Sequence, residues 1–560
     1  MSQSKSVLQP EPNTNTNKGE PGPITTDHIA AAEVIMGLPF TPAERELMLP
    51  GANQILTHYD ELRAVDLPNQ VAPALQFNPQ IPAPLEELPI NPPLSSPSLS
   101  ISSLSIPLDE PPPMPEHIEQ LAFAPIAHLA YFLRSGQITS QALTKMYLTR
   151  LKRYGPELEC VVTITEELAL ELARRADAEL AAGHDRGPLH GIPWGAKDLL
   201  ATKGYPTTWG AMPYRDQVIE QDATVVRKLT DAGAVLVAKL TMGALAWGDV
   251  WFGGKTRSPW DLEQGSSGSS AGSGAATAAG LVAFAIGTET HGSIVSPSTN
   301  CGLSGLRPTF GRVSRTGAMA LSWSMDKIGP MCRSVADCVH VFNAIYGPDG
   351  VDLTVTERPF VWEPELDLQK LRIGYTPKEF EAEYEGQAND LASLDVLRAM
   401  GVELIPIELP DYPLKAMNFI LSVEAAAAFD ELTRSNRDDL LVRQIADAWP
   451  NRFRQARLIP AVEYVQANRL RMLVMQQMAQ LMANVDLYLS PALHGANLLL
   501  TNLTGHPSVV VPNGFRANGL PSTITFTGRL YEEATLLAAA QAYQAVTEHH
   551  LQHPPRFVTK

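Results

Sequence analysis

The sequence predicts an α/β protein in which a β-sheet is covered by helices on both faces. Helix and strand patterns alternate at Val161 to Thr165 (strand), Glu166 to Ala182 (helix), Ala223 to Ala232 (helix), Ala234 to Ala238 (strand) and Ala275 to Ile286 (a small-residue helix, then a buried strand). The strand stretches are short and apolar, and the helix stretches place apolar residues at helical spacing. Repeated alternation of this kind is typical of a sheet with helices on both sides.

Length and composition favour a large globular enzyme. A chain of 560 residues exceeds the size at which one core stops growing, and its 44% apolar and 7% aromatic residues are ordinary for an enzyme. The formal net charge of −17 disfavours phosphate backbones and anionic membrane surfaces, so we expect neither nucleic acid nor a membrane as a partner. The four cysteines lack the spacing of a zinc site, and no secretion signal is visible, so a cytoplasmic protein without a metal is expected.

The N-terminal part divides into three segments. Residues 1–24 are polar and rich in proline and glycine, which predicts a disordered tail. Residues 25–67 favour helices, since Thr41-Pro42-Ala43-Glu44 forms a capping box, and Pro50 is predicted to divide this segment into two helices. Residues 68–116 are a linker rich in proline and serine. One large domain, 117–560, is expected to follow.

A glycine- and serine-rich stretch from Gly265 to Ser293 is the most informative part of the sequence. It contains two turns, one with Ser269 and one with Ser293, on either side of the predicted small-residue helix and strand. Glycine allows the backbone to approach a ligand closely, so both turns are candidates for handling a substrate. Upstream, Lys197 lies beside an apolar turn in the sequence HGIPWGAKD.

These residues resemble the amidase signature family of serine hydrolases. Further matching segments are Asp222 to Val226, Ser258 to Asp261, Cys301 to Thr309, Gly311 to Ser314 and Leu503 to Pro507. The resemblance implies an amidase-signature domain over 117–560, with a central mixed sheet between helices. It also implies that residues 351–486 vary with substrate and roof the active site, with helices near Ala416 to Leu432 and Val462 to Ala483 as candidate walls.

The same resemblance implies the chemistry. Ser293 would be the nucleophile, Ser269 a bridging serine preceded by a cis peptide bond, and Lys197 the base. The backbone N–H groups of Thr290, His291, Gly292 and Ser293 would form the oxyanion hole, and no metal or organic cofactor would be needed. A lysine accepts a proton only when it is neutral, so the pKa of Lys197 must be lowered by burial.

Substrate preference is predicted from the residues around the nucleophile. Many family members have arginine where this chain has Val295, and that arginine is associated with carboxylate recognition. Valine cannot form such a bond, so a neutral or apolar amide, ester or carbamate is expected. The candidate pocket residues are Gly268, Ser270, Val295 and Trp194. Trp247, Trp251 and Phe252 are further candidates for aromatic walls, or for the core.

Several alternatives stay open at this stage. The chain could be the A-type subunit of an amidotransferase that releases ammonia for a partner, although Val295 and the fused N-terminal helices argue against it. Two short segments, Leu38 to Thr41 and Leu62 to Asp66, resemble the small helical C subunit of such complexes, so residues 25–67 are either a fused segment of that kind or a helical appendage on the core. Ser270 also fits the nucleophile elbow of α/β-hydrolases, but no buried strand precedes it. Histidines 190, 291 and 506 lack the spacing of metal ligands. A monomer or homodimer is expected.

Overall fold

A computed structural model describes residues 22–66, 74–75, 111–363 and 366–558. Most of the predicted tail and linker therefore lies outside the described residues. The strands are β1 (Val161–Ile164), β2 (Pro193–Lys197), β3 (Val235–Leu240), β4 (Val250–Trp251), β5 (Gly254–Lys255), β6 (Arg257–Ser258), β7 (Asp261–Gly265), β8 (Phe284–Glu289), β9 (Ser304–Arg307), β10 (Lys327–Cys332), β11 (Ile373–Tyr375), β12 (Leu404–Pro406), β13 (Leu487–Pro491), β14 (Ser508–Phe515) and β15 (Pro521–Gly528).

The α-helices are α1 (Thr26–Met36), α2 (Pro42–Arg63), α3 (Ile126–Arg134), α4 (Ser140–Leu158), α5 (Glu166–Ala181), α6 (Thr224–Asp231), α7 (Ala271–Ala278), α8 (Val295–Cys301), α9 (Val335–Ile345), α10 (Pro377–Glu381), α11 (Gln387–Ala399), α12 (Leu414–Met417), α13 (Phe419–Ala428), α14 (Asp430–Arg434), α15 (Trp449–Ala456), α16 (Ala461–Asn484), α17 (Asn497–Thr504) and α18 (Glu533–Thr547). In the described ranges, no helix is long and apolar enough to cross a membrane.

Eleven strands of the described chain form one mixed sheet. Their order is β1-β3-β2-β8-β10-β9-β14-β15-β13-β11-β12. Strand β2 pairs in parallel with both β3 and β8, and β11 does so with β12 and β13, whereas the remaining pairs are antiparallel. The α/β prediction with a mixed sheet is therefore confirmed.

Both faces of the sheet are covered. Along β3, Leu236 belongs to the largest apolar cluster, while Val235 and Val237 belong to a second cluster that includes Leu172 of α5. Successive side chains of a strand point to opposite faces, so the two clusters lie on opposite sides of the sheet. Burial on both sides explains why β3 reads as a continuous apolar run rather than an alternating one.

The N-terminal helices pack on the large domain. The capping box of α2 is present, because Thr41 and Glu44 exchange backbone and side-chain hydrogen bonds. The prediction that Pro50 divides the segment is wrong, since α2 continues through it. Met48 and Ala52, on either side of Pro50, are both buried, and α2 packs against α12, α15 and α16. This packing stabilises a helix that proline alone would interrupt.

Two further helix boundaries are set by packing. Helix α4 continues through Pro156, because Leu158 is buried in the second apolar cluster. The helix expected over 416–432 is broken into α12, α13 and α14, whereas the one near 462–483 is the single helix α16.

Candidate active site

Lys197 is the last residue of β2, and its side chain is fully buried. Its Nζ lies 2.8 Å from Ser269 Oγ, 3.0 Å from Ser270 Oγ, and 2.9 and 3.3 Å from the hydroxyl and carbonyl oxygens of Thr288. Burial lowers the pKa of Lys197 to about 7, although the charges of Asp326 and Glu289 act in the opposite direction. An amine in this setting can exchange a proton near neutral pH.

Ser269 joins Lys197 to the glycine-rich turn. The peptide bond between Gly268 and Ser269 is cis, the arrangement that the family resemblance implies. A side chain at Gly268 would not fit, because a Cβ atom there would lie 1.9 Å from the carbonyl oxygen of Gly248. The Ser269 carbonyl accepts a hydrogen bond from the N–H of Gly243 at 3.3 Å, which attaches the turn to the loop after β3.

Ser270 is held rigidly beside Lys197. Its buried Oγ accepts from Lys197 Nζ and from the N–H of Thr288 at 3.1 Å, and donates to the Thr288 carbonyl at 3.1 Å. The hydroxyl therefore bridges Lys197 to β8. A nucleophile elbow requires an exposed serine after a buried strand, and the structure places Ser270 in neither position.

Ser293 lies in the turn after β8. Its carbonyl accepts a 3.2 Å hydrogen bond from the N–H of Ser270, so the two serine-bearing turns are in direct contact. The residue retains 8% exposure, and its hydroxyl makes no hydrogen bond to any residue of the described chain. The structure therefore joins Lys197 to Ser269 by a hydrogen bond and places the Ser293 turn against the neighbouring Ser270, where β2 and β8 end.

The backbone around Ser293 leaves a row of unused donors. Within the described residues, the N–H groups of Thr290, His291, Gly292 and Ser293 make no hydrogen bond. Gly292 has φ +87°, which favours glycine and lets this short turn fold back. Successive free N–H groups form a concavity that suits a negatively charged oxygen.

Glu289, which sequence reasoning missed, anchors this turn. Its Oε2 accepts the N–H groups of Ile294 and Val295 at 2.8 and 2.9 Å. Its Oε1 accepts from Arg307 and from Asn502, both at 2.8 Å. Burial acts to raise the pKa of Glu289, but the Arg307 guanidinium and the hydrogen bonds outweigh it and hold the pKa at about 2. The sequence does contain a signal for this residue, since Glu289 directly precedes the turn of residues 290–293, which contains Gly292 and Ser293.

A cavity of about 300 Å³ lies next to this cluster. Thr288 lines it, so the cavity reaches the side chain that binds Lys197. Neither Ser269 nor Ser293 is among the lining residues. Most of its wall is apolar, formed chiefly by Leu199, Ala318, Met319, Leu321, Trp323 and Ile328.

The charged side chains of the cavity wall have partners within the protein. Arg315 pairs with Asp352 at 3.2 Å, and Asp326 accepts hydrogen bonds from Thr290 and from the backbone. Lys327 donates to the carbonyl of Met325. Burial lowers the pKa of Lys327 well below its ordinary value.

Two residues predicted for the pocket lie elsewhere. Trp194 is in the core, fully buried and stacked on Phe284 with ring centroids 6.0 Å apart, because it points from β2 into the main apolar cluster. Val295 packs with Ala492 and Val510 in a buried apolar cluster, and it does not line the cavity.

The helices predicted as pocket walls do not line the cavity; α13 and α16 instead bind the loop that lines it. Glu424 of α13 accepts hydrogen bonds from the hydroxyls of Ser322 and Ser324, both at 2.7 Å. Arg471 of α16 donates to the hydroxyl and carbonyl of Ser324 at 2.9 and 2.8 Å. These helices therefore fix the loop that does form the wall.

The three histidines have separate surroundings. His190 contacts Glu179 at 3.1 Å, His506 contacts the Thr504 hydroxyl at 2.9 Å, and the His291 side chain is exposed. In the described ranges, no three His, Cys, Asp or Glu side chains meet as a metal site would require.

The family model named Amidase matches residues 142–537, and the chain belongs to this family, with the amidase signature. It is an enzyme that hydrolyses carbon–nitrogen bonds. It is 37% identical over 469 residues to the A subunit of a glutamyl-tRNA(Gln) amidotransferase from Roseiflexus sp. (strain RS-1), covering 75% of this chain and 96% of that protein. The corresponding protein from Roseiflexus castenholzii is 36% identical, covering 77% of this chain and 97% of that protein.

Solved structures agree on the fold. The peptide amidase from Stenotrophomonas maltophilia superposes with a TM-score of 0.68 at 28% identity, covering 79% of this chain and all of that one. An amidase family protein from Bacillus anthracis gives a TM-score of 0.70 at 25% identity, covering 78% of this chain and 93% of that one.

Proposed function

We propose that the chain is an amidase that hydrolyses neutral or apolar amides through an acyl-enzyme on Ser293, with Ser269 as the proton relay and Lys197 as the base. The observation that carries the proposal is the surroundings of Lys197. A buried lysine normally has a carboxylate partner, whereas the hydrogen-bond partners of Lys197 are two serines and a threonine.

The reaction begins at the serine hydroxyls. Ser293 Oγ attacks the carbonyl carbon of the amide and passes its proton to Ser269, whose own proton moves to Lys197. The negative charge on the former carbonyl oxygen is stabilised by the free N–H groups of residues 290–293. The intermediate then collapses, the C–N bond breaks, and Lys197 returns the proton through Ser269 to the leaving nitrogen. Water hydrolyses the resulting ester by the same route.

The cavity wall supports a neutral substrate. Its charged groups are paired or hydrogen-bonded within the protein, and most of its surface is apolar, so an apolar group would gain from burial there while a substrate carboxylate would lose solvation. Esters and carbamates present the same carbonyl and are expected as further small-molecule substrates. We propose that the chain acts as a monomer or homodimer.

The test uses one substrate panel and one variant. Anilides, aliphatic amides, esters and carbamates are assayed with wild type and Ser293→Ala, and a slow ester is used to trap the intermediate for mass spectrometry. We expect turnover of neutral amides and an acyl adduct on Ser293 that the variant lacks. An adduct that survives in Ser293→Ala, or that maps to Ser270, would overturn the proposal.

A second candidate function is that of an amidotransferase component that releases ammonia for a partner. The identity to the two Roseiflexus proteins favours it. The two functions differ in substrate, so ammonia release from glutamine is measured alone and with a tRNA-binding partner protein. Glutamine turnover that depends on such a partner would favour this candidate over a free-standing amidase.

A further inference from the structure

Asp326 lies where three parts of the site meet. Its Oδ1 accepts a short hydrogen bond from the hydroxyl of Thr290, the first residue of the oxyanion turn (residues 290–293). Its Oδ2 accepts the N–H groups of Leu321 and Ser322 at 2.8 and 3.0 Å, in the cavity loop (residues 319–325). A carboxylate with three donors around it is well suited to hold both segments in place.

Asp326 also acts on Lys197. Asp326 and Thr288 both line the cavity, and Lys197 lies behind Thr288, to whose hydroxyl and carbonyl it donates. The charge of Asp326 raises the pKa of Lys197 against the larger effect of burial. Burial raises the pKa of Asp326 itself, and its hydrogen bonds from Thr290, Leu321 and Ser322 oppose that rise. The other titratable groups around this centre are Glu289 on β8, Arg307 on β9, Lys327 on β10, Arg315 in the loop before β10, and Arg471 on α16.

We infer that Asp326 is a positioning residue for the reaction, which holds the oxyanion turn through Thr290 and stabilises the ammonium form of Lys197 after proton transfer. The inference rests on the proposed function. Glu289 holds the other end of the same turn through the N–H groups of Ile294 and Val295. Two carboxylates therefore bracket the turn and leave only the four N–H groups between them free for the substrate oxygen.

The experiment measures the rate at which a fluorophosphonate labels Ser293 as a function of pH. This probe needs no knowledge of the substrate, since Ser293 Oγ bonds to phosphorus, fluoride leaves and the proton moves through Ser269 to Lys197. For Asp326→Asn we expect the labelling rate at the alkaline plateau to fall by about tenfold, because Asp326 no longer holds the oxyanion turn in place. The acidic limb is the part of the profile in which the labelling rate falls as the pH is lowered. We also expect this limb to shift to lower pH by about one unit, because Lys197 loses a nearby negative charge.

Two further variants separate the two effects. Thr290→Val removes the bond to the turn but keeps the charge, so the plateau should fall severalfold while the acidic limb stays in place. Glu424→Gln is a matched control, because Glu424 binds the same cavity loop through Ser322 and Ser324 without acting on Lys197. Its acidic limb should equal that of wild type.

The outcomes are distinguishable. An acidic limb that does not move in Asp326→Asn would overturn the electrostatic part of the inference, and an unchanged plateau in Thr290→Val would overturn the positioning part. The second variant keeps the test valid if circular dichroism shows that Asp326→Asn does not fold. Labelling that persists in Ser293→Ala would instead contradict the proposed function itself.

Discussion

Two buried lysines on neighbouring strands have opposite surroundings. Lys197 ends β2, and Lys239 lies on β3, where it is opposite Ala196 in the parallel pairing. Both side chains are fully buried. Lys239 Nζ lies 2.8 Å from an Asp198 carboxylate oxygen and 3.0 Å from the Thr207 hydroxyl, whereas Lys197 is bound by hydroxyls and a carbonyl.

The difference explains which lysine can act as a base. A buried ammonium with a carboxylate partner is stabilised as a charge, and removing either partner leaves an uncompensated buried charge. When the partners of a buried lysine are neutral oxygens, they do not fully replace the hydration that its ammonium form loses on burial. For Lys197 this lowers the pKa to about 7. Residue type and burial are therefore not sufficient to predict a base. The partners of the lysine affect its pKa, and the contact with Ser269 is what allows Lys197 to act on a serine hydroxyl.

The largest expected effect comes from removing Lys197. Lys197→Ala should lower kcat/KM for amides by about 10³-fold or more, because neither proton uptake from serine nor proton return to the amine remains. Ester hydrolysis should suffer less, since an alkoxide leaves with little protonation. Parallel assays of a matched amide and ester measure the two losses. Equal losses would mean that Lys197 acts only in a step common to both substrates.

Removing Lys239 should affect stability rather than chemistry. Lys239→Met leaves Asp198 buried without its partner, which we expect to cost about 3–5 kcal/mol of the free energy of unfolding. Denaturant unfolding measures this loss, and the double variant with Asp198→Asn should recover part of it. If the folded Lys239→Met protein instead lost fluorophosphonate labelling, the contrast between the two lysines would be wrong.

The pH dependence follows from the same contrast. In the proposed mechanism the neutral form of Lys197 is the active one, and its lowered pKa of about 7 means that this form predominates above neutral pH. The rate should therefore be level at alkaline pH and fall about tenfold per unit below about pH 7. A pH–rate profile of kcat/KM for a neutral substrate measures the limb. A level rate down to about pH 5 would argue against Lys197 as the base.

Local features of the site could be predicted from the sequence. The turns that carry Ser269 and Ser293 are marked by their own glycines and serines, and the helix and strand between them are marked by small apolar residues. Helix α7 and strand β8 are both formed within this stretch. Local propensity and local chemistry agree here, which is why sequence reasoning succeeds.

Features that depend on distant contacts could not be predicted. Glu289 receives its hydrogen bond from Asn502, more than two hundred positions away, and no local pattern encodes that contact. Helix α2 continues through Pro50 because of packing against α15, and Val295 is enclosed by Ala492 and Val510 from other elements. In each case tertiary contacts, rather than the neighbouring sequence, decide the position of the residue.

The smallest expected effect concerns Trp194, at the other end of the strand that carries Lys197. Within the described residues its indole N–H is buried without a hydrogen-bond partner. Trp194→Phe removes that unsatisfied donor and some apolar contact with Phe284, and the two changes partly offset each other, so stability should change by no more than about 2 kcal/mol. The labelling rate and the preference among apolar amides should stay within about twofold of wild type. Calorimetry and the substrate panel measure both. A larger change in substrate preference would show that Trp194 affects substrate binding, so that residues of β2 other than Lys197 also contribute to the pocket.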